Sequence, residues 1–205
     1  MMLNEKERKI LENMLRDSEG VIDYLYQDSL GKVTIGIGNL IKNIDDMTRI
    51  DLLTQEGIKA SEQQKREAYT RVYDAPGYRL DGRPLAAPYY KKYSELRMPC
   101  AEIKRQLSTS VLQFYNEIKI IFPCFDTFPH EAKLACMDMI FNLGMTALNS
   151  KWPRFKSAVK KRNWHEAAIQ SYRYQLSKRR NSDIRMLFLE AHEIESKPIK
   201  IRNTG

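Results

Sequence analysis

Residues 19–41 read EGVIDYLYQDSLGKVTIGIGNLI, and the spacing of their apolar side chains changes from helical to alternating. The alternating positions stand on both sides of the segment DSLG at 28–31: Tyr24 and Tyr26 before it, and Val33, Ile35 and Ile37 after it. An Asp–Gly turn between two such runs predicts a short β-hairpin. Glycines at 31, 36 and 38 indicate close backbone approaches rather than a large sheet.

Helical spacing flanks this hairpin on both sides. A first helix is predicted from about Asn4 to Ser18, capped by Asn4 and ended at Gly20. A long apolar face runs from Cys100 to Ile121, and the run 132–144 is apolar almost all round, which is typical of a central buried helix. Shorter helices are predicted at 155–161, at 164–176 and from 184 to about 195.

Residues 42–98, called the insert below, are less regular. Polar helical pieces around 45–72 lead into DAPGYRLDGRPLAAPYYKKY at 74–93, which is rich in Pro, Gly and Tyr and predicts an irregular connection or lid. We expect its tyrosines to pack against the body of the protein rather than to stack on sugar rings; they are Tyr78, Tyr89, Tyr90 and Tyr93.

The fold class that follows is α+β, mainly α, in a single domain over 1–205. Its expected parts are a helix and hairpin at 1–41, the insert, a larger helical lobe at 99–197 and a tail at 198–205. A cleft between the hairpin lobe and the helical lobe is the expected binding site for a polymer.

The chain carries a formal net charge of +8 over 205 residues, which favours polyanionic partners such as nucleic acid, anionic lipid or a bacterial wall. We find no apolar run long enough to span a bilayer and no classical secretory signal, so synthesis in the cytoplasm without membrane insertion is expected. No nucleic-acid-binding motif is present, and aromatic residues do not interleave with the basic clusters. The three cysteines are expected to be reduced thiols.

Three polar residues of the hairpin region have the chemistry for glycoside hydrolysis. Glu19 lies where the first helix gives way to the hairpin, Asp28 lies in the turn and Thr34 lies on the returning strand. Cleavage of a glycosidic bond needs one carboxylic acid to protonate the leaving oxygen and a second group to handle water. Apolar neighbours can help Glu19 to retain a proton, whereas Asp28 lies in a wetter turn. Two carboxylates and a threonine are a weak signal when taken alone.

The segment 19–41 resembles the signature of the phage-type lysozymes (endolysins) of glycoside hydrolase family 24. The resemblance rests on the Glu–Gly pair, the Tyr-x-Asp-x-x-Gly turn and the Thr-Ile-Gly-Ile-Gly run. LACMDMIFNLGMTAL at 134–148 resembles the central helix of the family, and FKSAVKKRNWHEAAIQS at 155–171 resembles the following helix pair. The resemblance implies a lysozyme-like fold and a muramidase that cuts the β-1,4 bond from N-acetylmuramic acid to N-acetylglucosamine.

The resemblance also implies roles for individual residues. Glu19 would be the general acid, while Asp28 and Thr34 would activate and hold a water molecule in an inverting reaction. Asn142 matches a position that faces the cleft, and Arg180 and Arg173 fall where the family places contacts to saccharide or stem peptide. No metal or organic cofactor is expected.

The sequence departs from the family at Asn39, where a histidine is common, and in the insert. We expect the Asn39 amide still to form a hydrogen bond across the lobe boundary. Asp138, within an apolar helix, is expected to be held by a backbone group or an arginine rather than to act in catalysis. The three histidines have no metal-ligand spacing, and Trp152 and Trp164 are expected in helix packing.

Three functions compete on these grounds. The first is an active, monomeric muramidase that acts on bacterial peptidoglycan, either as a phage enzyme or as a secreted antibacterial effector. An effector would imply an immunity protein in the producing cell. The second is a peptidoglycan-binding module that does not cut, and the third is a nucleic-acid binder motivated by the net charge.

Overall fold

The computed structural model describes residues 3–197, which form a mainly helical α+β protein with one small antiparallel sheet, as predicted. The predicted tail at 198–205 lies outside the described residues. The helices are α1 (Glu5–Glu19), α2 (Ile44–Thr48), α3 (Glu62–Tyr73), α4 (Tyr78–Asp81), α5 (Cys100–Ile121), α6 (His130–Lys151), α7 (Pro153–Lys160), α8 (Trp164–Gln170) and α9 (Lys178–Ser196). The strands are β1 (Ile22–Gln27), β2 (Val33–Gly36) and β3 (Asn39–Leu40), and 3-10 helices lie at Ala87–Tyr93 and Phe125–Thr127.

The chain divides into two compact units, and the boundaries fall inside α1 and α5. Leu15–Thr109 form one, called the hairpin unit. The described residues 3–14 and 110–197 form the other, called the helical unit. None of the helices within residues 3–197 is both long enough and apolar enough to cross a bilayer.

Helix α1 begins with a reciprocal pair of hydrogen bonds. The Asn4 side chain accepts from the Glu7 amide at 2.8 Å, and the Glu7 carboxylate accepts from the Asn4 amide at 2.8 Å. Such a pair satisfies two of the amide groups that the first turn of a helix leaves without partners. At the other end Gly20 adopts φ 74°, a left-handed conformation that glycine reaches without strain and that stops the helix where the sequence predicted.

The sheet of the hairpin unit confirms the predicted hairpin and adds a strand. Strands β1 and β2 are antiparallel, with Gln27 opposite Val33 and Tyr26 opposite Thr34. Strand β3 was not predicted; it has only two residues and pairs with β2. Thr34 therefore lies on the central strand of the sheet.

The insert packs with the sheet in the hairpin unit. Helix α3 begins at a capping box formed by Ser61 and Gln64, so the predicted polar helical piece is a regular helix. The Tyr-rich stretch after it contains only α4 and a 3-10 helix. The prediction that its tyrosines pack inward is confirmed for Tyr90, which is fully buried, whereas Tyr78 is exposed.

The helical unit is built around α6. Residues 134–140 are all buried, which confirms the predicted central helix. Its helical path breaks at Gly144, with φ 73° and ψ 159°. Ring contacts join the surrounding helices. The centroid of the Trp164 ring lies 5.0 Å from that of Phe128 and 6.3 Å from that of Phe188. The prediction of helix packing is confirmed for Trp164, and Trp152 is half-buried.

The boundaries of the last two helices differ from prediction. Helix α8 ends at Gln170 instead of running to residue 176, and α9 begins at Lys178 instead of residue 184. The reason is a loop held by Asn181, whose side chain accepts from the Arg173 amide and donates to the Arg173 carbonyl, both at 2.9 Å. Ser177 then caps α9 by accepting from the Arg180 amide.

The three cysteines are free thiols, as predicted. Cys136 is fully buried, and burial raises the pKa of its thiol because the thiolate would have no polar surroundings.

Candidate active site

The turn of the hairpin is organised by Asp28. Its Oδ1 accepts hydrogen bonds from the amides of Leu30 at 2.8 Å and Lys32 at 2.9 Å. The backbone closes the same turn, because the Asp28 amide donates to the Lys32 carbonyl and the Gly31 amide donates to the Asp28 carbonyl. This is the local side-chain bonding that favours aspartate in turns. The two bonds to the side chain both reach Oδ1, and within residues 3–197 no group donates a hydrogen bond to the second carboxylate oxygen, Oδ2.

Glu19 is the last residue of α1 and is half-buried. The following Gly20 turns the chain into β1, and its amide donates to the Arg16 carbonyl at 3.0 Å. The backbone position of Glu19 is thus fixed by the end of α1, by Gly20 and by the start of β1.

Thr34 is buried on β2, with 3% of its surface exposed. Its hydroxyl donates to the Lys32 carbonyl at 3.1 Å, which orients the Oγ1 lone pairs away from that carbonyl. Its cross-strand partner is Tyr26, and directly opposed residues of an antiparallel pair share one face of the sheet.

Tyr26 is the neighbour that these residues have in common. Burial, together with the negative charges of Asp28 and Glu19, raises the pKa of its hydroxyl to about 12. Tyr26 is therefore within electrostatic range of Glu19 and Asp28, and it is the cross-strand partner of Thr34.

From the sequence, Tyr26 was predicted only as a hairpin residue, as the first residue of the Tyr-x-Asp-x-x-Gly motif and as an apolar neighbour of Glu19. An available signal was its two-residue spacing from Asp28, which places both residues toward one face of an extended chain.

Asn39 forms an amide hydrogen bond as expected, but its partner lies in the same unit and not across a boundary. It donates from Nδ2 to Oε1 of Gln106 on α5, and Gln106 donates in turn to Glu102 at 2.8 Å. Gln106 belongs to the predicted helical lobe by sequence but to the hairpin unit in the structure. The contact connects the end of the sheet to α5.

The three predicted substrate-binding residues all belong to the helical unit. Asn142 lies on α6 two residues before the break at Gly144 and is half-buried. Its Oδ1 is buried and accepts no hydrogen bond from the residues that the structure describes. An amide oxygen in this state is available to a ligand donor.

Arg173 and Arg180 are instead joined to Asp138. Arg173 Nη2 donates to Asp138 Oδ2 at 2.7 Å, and Arg180 Nη2 donates to Asp138 Oδ1 at 2.8 Å. The prediction that an arginine holds Asp138 is confirmed. Arg173 is fully buried and Arg180 is 6% exposed, so both guanidinium groups lie inside the helical unit. Their predicted contact with substrate stays a prediction.

The helical unit also contains an open cavity of about 430 Å³ that the sequence did not indicate. Aromatic and basic side chains line it, among them Trp152, Arg154, Tyr172 and Tyr174. Tyr174 is 91% exposed, and its ring packs edge-on against Tyr172 with centroids 5.1 Å apart. Exposed aromatic rings beside cationic groups suit sugars and carboxylates.

Within residues 3–197, no group of three or more His, Cys, Asp or Glu side chains is arranged to hold a metal ion. His130 instead lies 3.3 Å from the Glu7 carboxylate, and His165 and His192 contact each other edge-on.

No family model matches this chain, and no curated protein matches it.

Proposed function

We propose that this protein is a muramidase that hydrolyses the β-1,4 bond between N-acetylmuramic acid and N-acetylglucosamine in peptidoglycan. The observation that carries the proposal is the shared neighbourhood of Tyr26, where the charges of Glu19 and Asp28 act on one hydroxyl and Thr34 is the cross-strand partner. An inverting glycosidase uses one carboxylic acid and one carboxylate base, and Glu19 and Asp28 are the candidates for these two groups.

Each group has a task in the proposed reaction. Glu19 donates its proton to the glycosidic oxygen as the bond from that oxygen to the anomeric carbon breaks. Asp28 accepts a proton from a water molecule whose oxygen forms the new bond to that carbon on the opposite face. The sugar product is inverted at the anomeric carbon, and exchange of protons with solvent restores both carboxyl groups.

The hydrogen bonds of the hairpin fit this division of tasks. Because Oδ1 of Asp28 is used by the turn, Oδ2 is the atom that can take the proton from water. The Thr34 hydroxyl has already donated its hydrogen to the Lys32 carbonyl, so it is left as an acceptor that can hold the same water.

Charge and surface support peptidoglycan as the substrate class. The net charge of +8 draws the protein toward the anionic bacterial wall. The cavity of the helical unit offers exposed tyrosines, Arg154 and Lys151 to a sugar or a peptide carboxylate. We propose the cell wall as the place of action, reached by phage-mediated release or by a secretion machine.

The test is the clearing of purified bacterial walls, stripped of outer membrane, by the wild type and by Glu19→Gln. Mass analysis of the fragments identifies the bond, and proton NMR of the first product identifies the anomer. Asp17→Asn is the matched control, because Asp17 is an exposed acid on the last turn of the same helix.

We expect clearing by the wild type and Asp17→Asn, reducing ends at muramic acid, and no clearing by Glu19→Gln. Binding of walls without fragments would make the protein a binding module. Equal clearing by all three proteins would show that Glu19 is not the acid.

A further inference from the structure

Gln27 is an unusual residue for the end of a strand, since it is polar and only 1% exposed. It lies between Tyr26 and Asp28 in the chain. Its Nε2 donates to the carbonyls of Val72 at 2.7 Å and Ala75 at 3.0 Å. These carbonyls belong to the last turn of α3 and the residues after it, where a helix leaves acceptors without internal partners. Gln27 thus joins the hairpin to the insert.

The contact leaves no room for another side chain. A Cβ atom at residue 77 would collide with Oε1 of Gln27 and with the hydroxyl of Tyr90, which is fully buried. Any larger residue at 77 would have to displace the Gln27 or Tyr90 side chain, so glycine suits the close passage of the chain after α3. The insert is therefore built around the Gln27 side chain.

A second contact lies on the other side of Asp28. A Cβ atom at Gly31 would lie 3.0 Å from both Cβ and the backbone nitrogen of Arg79 on α4, and Gly31 has φ 72°. The turn is therefore in close contact with the insert at Gly31 and is joined to it by the hydrogen bonds of Gln27. Asp28 lies between these two attachments.

We infer that Gln27 is a positioning residue for Asp28, and that the insert is the support that holds the hairpin turn at its catalytic geometry. The inference rests on the proposed function, because it assigns Gln27 a purpose in the task of Asp28. Displacement of a catalytic group by about 1 Å costs up to roughly a hundredfold in rate, even when the mutated residue does not touch the substrate. A buried bond that fixes the neighbour of Asp28 prevents such displacement.

The test compares wild type, Gln27→Met and Gly77→Ala with the control Gln63→Met. Methionine keeps the length of the side chain but removes its donor and acceptor. Gln63 is an exposed glutamine of the same insert whose side chain donates to Glu67 at 3.0 Å. Two readouts are taken on fully folded protein: kcat and KM on a soluble peptidoglycan oligosaccharide, and hydrogen exchange of the Leu30 and Lys32 amides that donate to Asp28.

We expect both Gln27→Met and Gly77→Ala to lower kcat by roughly tenfold to a hundredfold, with KM within about twofold of wild type. The Leu30 and Lys32 amides should exchange faster in the same two variants, while Gln63→Met behaves as wild type in both readouts. A side chain that only stabilises the fold would change the melting temperature but not kcat per folded molecule.

Unchanged kcat in folded Gln27→Met and Gly77→Ala would overturn the inference, as would unchanged exchange of the two amides. Gly77→Ala keeps the test open if Gln27→Met does not fold, because it disturbs the same contact from the other side. A wild type that cuts no substrate would overturn the proposed function instead, and the exchange measurement would then still decide whether Gln27 holds the turn.

Discussion

Arg173 Nη2 donates a 2.7 Å hydrogen bond to Oδ2 of Asp138, and both side chains are at most 1% exposed. Arg180 binds the other carboxylate oxygen, so one buried carboxylate joins α6 to the loop before α9 and to α9 itself. Buried ion pairs add little stability over apolar residues, but removing one partner leaves an uncompensated charge. Substitution of either residue of the pair should therefore disturb the packing of these helices.

Arg173→Met should lower the free energy of unfolding by about 1–3 kcal/mol, since Asp138 loses the 2.7 Å hydrogen bond to Oδ2 while Arg180 still neutralises the carboxylate. Urea denaturation followed by circular dichroism measures this change. Arg179→Met is the control, because Arg179 is 88% exposed and lies 3.9 Å from Asp183. Its expected effect is below about 0.5 kcal/mol. Similar losses in the two variants would contradict a structural role for the Arg173–Asp138 pair.

Asp28→Asn should separate the structural task of this residue from its chemical one. Asparagine retains an oxygen that can accept from Leu30 and Lys32, so the free energy of unfolding should stay within about 0.5 kcal/mol of wild type. Hydrolysis should fall by at least roughly tenfold, because the carboxylate base is gone. Asp28→Ala should lose both activity and about 1 kcal/mol of stability. Full activity in Asp28→Asn would remove Asp28 from the proposed reaction.

Tyr26 should give stability a dependence on alkaline pH. Its folded pKa is raised to about 12 from the usual tyrosine pKa of 10.0, so the folded state resists the ionisation that the unfolded chain undergoes. The contribution of the neutral hydroxyl is complete below pH 10 and is lost as the pH rises from 10 to 12. Tyr26→Phe should therefore lose less stability than the wild type between pH 9 and pH 11, as measured by urea denaturation at these two pH values. Tyr174→Phe, at an exposed tyrosine, should follow the wild type throughout.

Glu7 should give stability a dependence on acidic pH. Burial acts to raise its pKa, but hydrogen bonds from the Asn4 amide, His130 and Lys133 outweigh burial, and the net pKa is below 4.5. The stabilisation is therefore present above pH 4.5 and is lost as the pH falls through the lower folded pKa. Glu7→Gln should be less stable than wild type by about 1 kcal/mol at pH 7, and equal to it once Glu7 is protonated. Glu5→Gln, in the same first turn, should show no such convergence.

The structural features that could be predicted from the sequence are those that depend on residues close together in the chain. The Asp28–Gly31 turn and the end of α1 at Gly20 are decided by residues a few positions apart, so the hairpin and the first helix were predictable. The type of partner for Asp138 was predictable from the cost of burying a charge, but not its identity, since Arg173 and Arg180 are 35 and 42 residues away. Gln27 was missed for the same reason, because its partners Val72 and Ala75 lie 45 and 48 residues away in the chain.

Support of the hairpin by the insert has a consequence for how relatives of this protein can diverge. Gln27 donates to the carbonyls of Val72 and Ala75, and the Met98 amide donates to the Asp23 carbonyl, so these contacts use main-chain atoms of the insert. Substitutions at residues 72, 75 and 98 change the side chains but leave these main-chain hydrogen bonds in place. We therefore expect selection to act on the pair Gln27 and Gly77, because the Gln27 side chain occupies the space that a side chain at residue 77 would need. In an alignment of relatives these two positions should change together, while the exposed face of the insert varies freely.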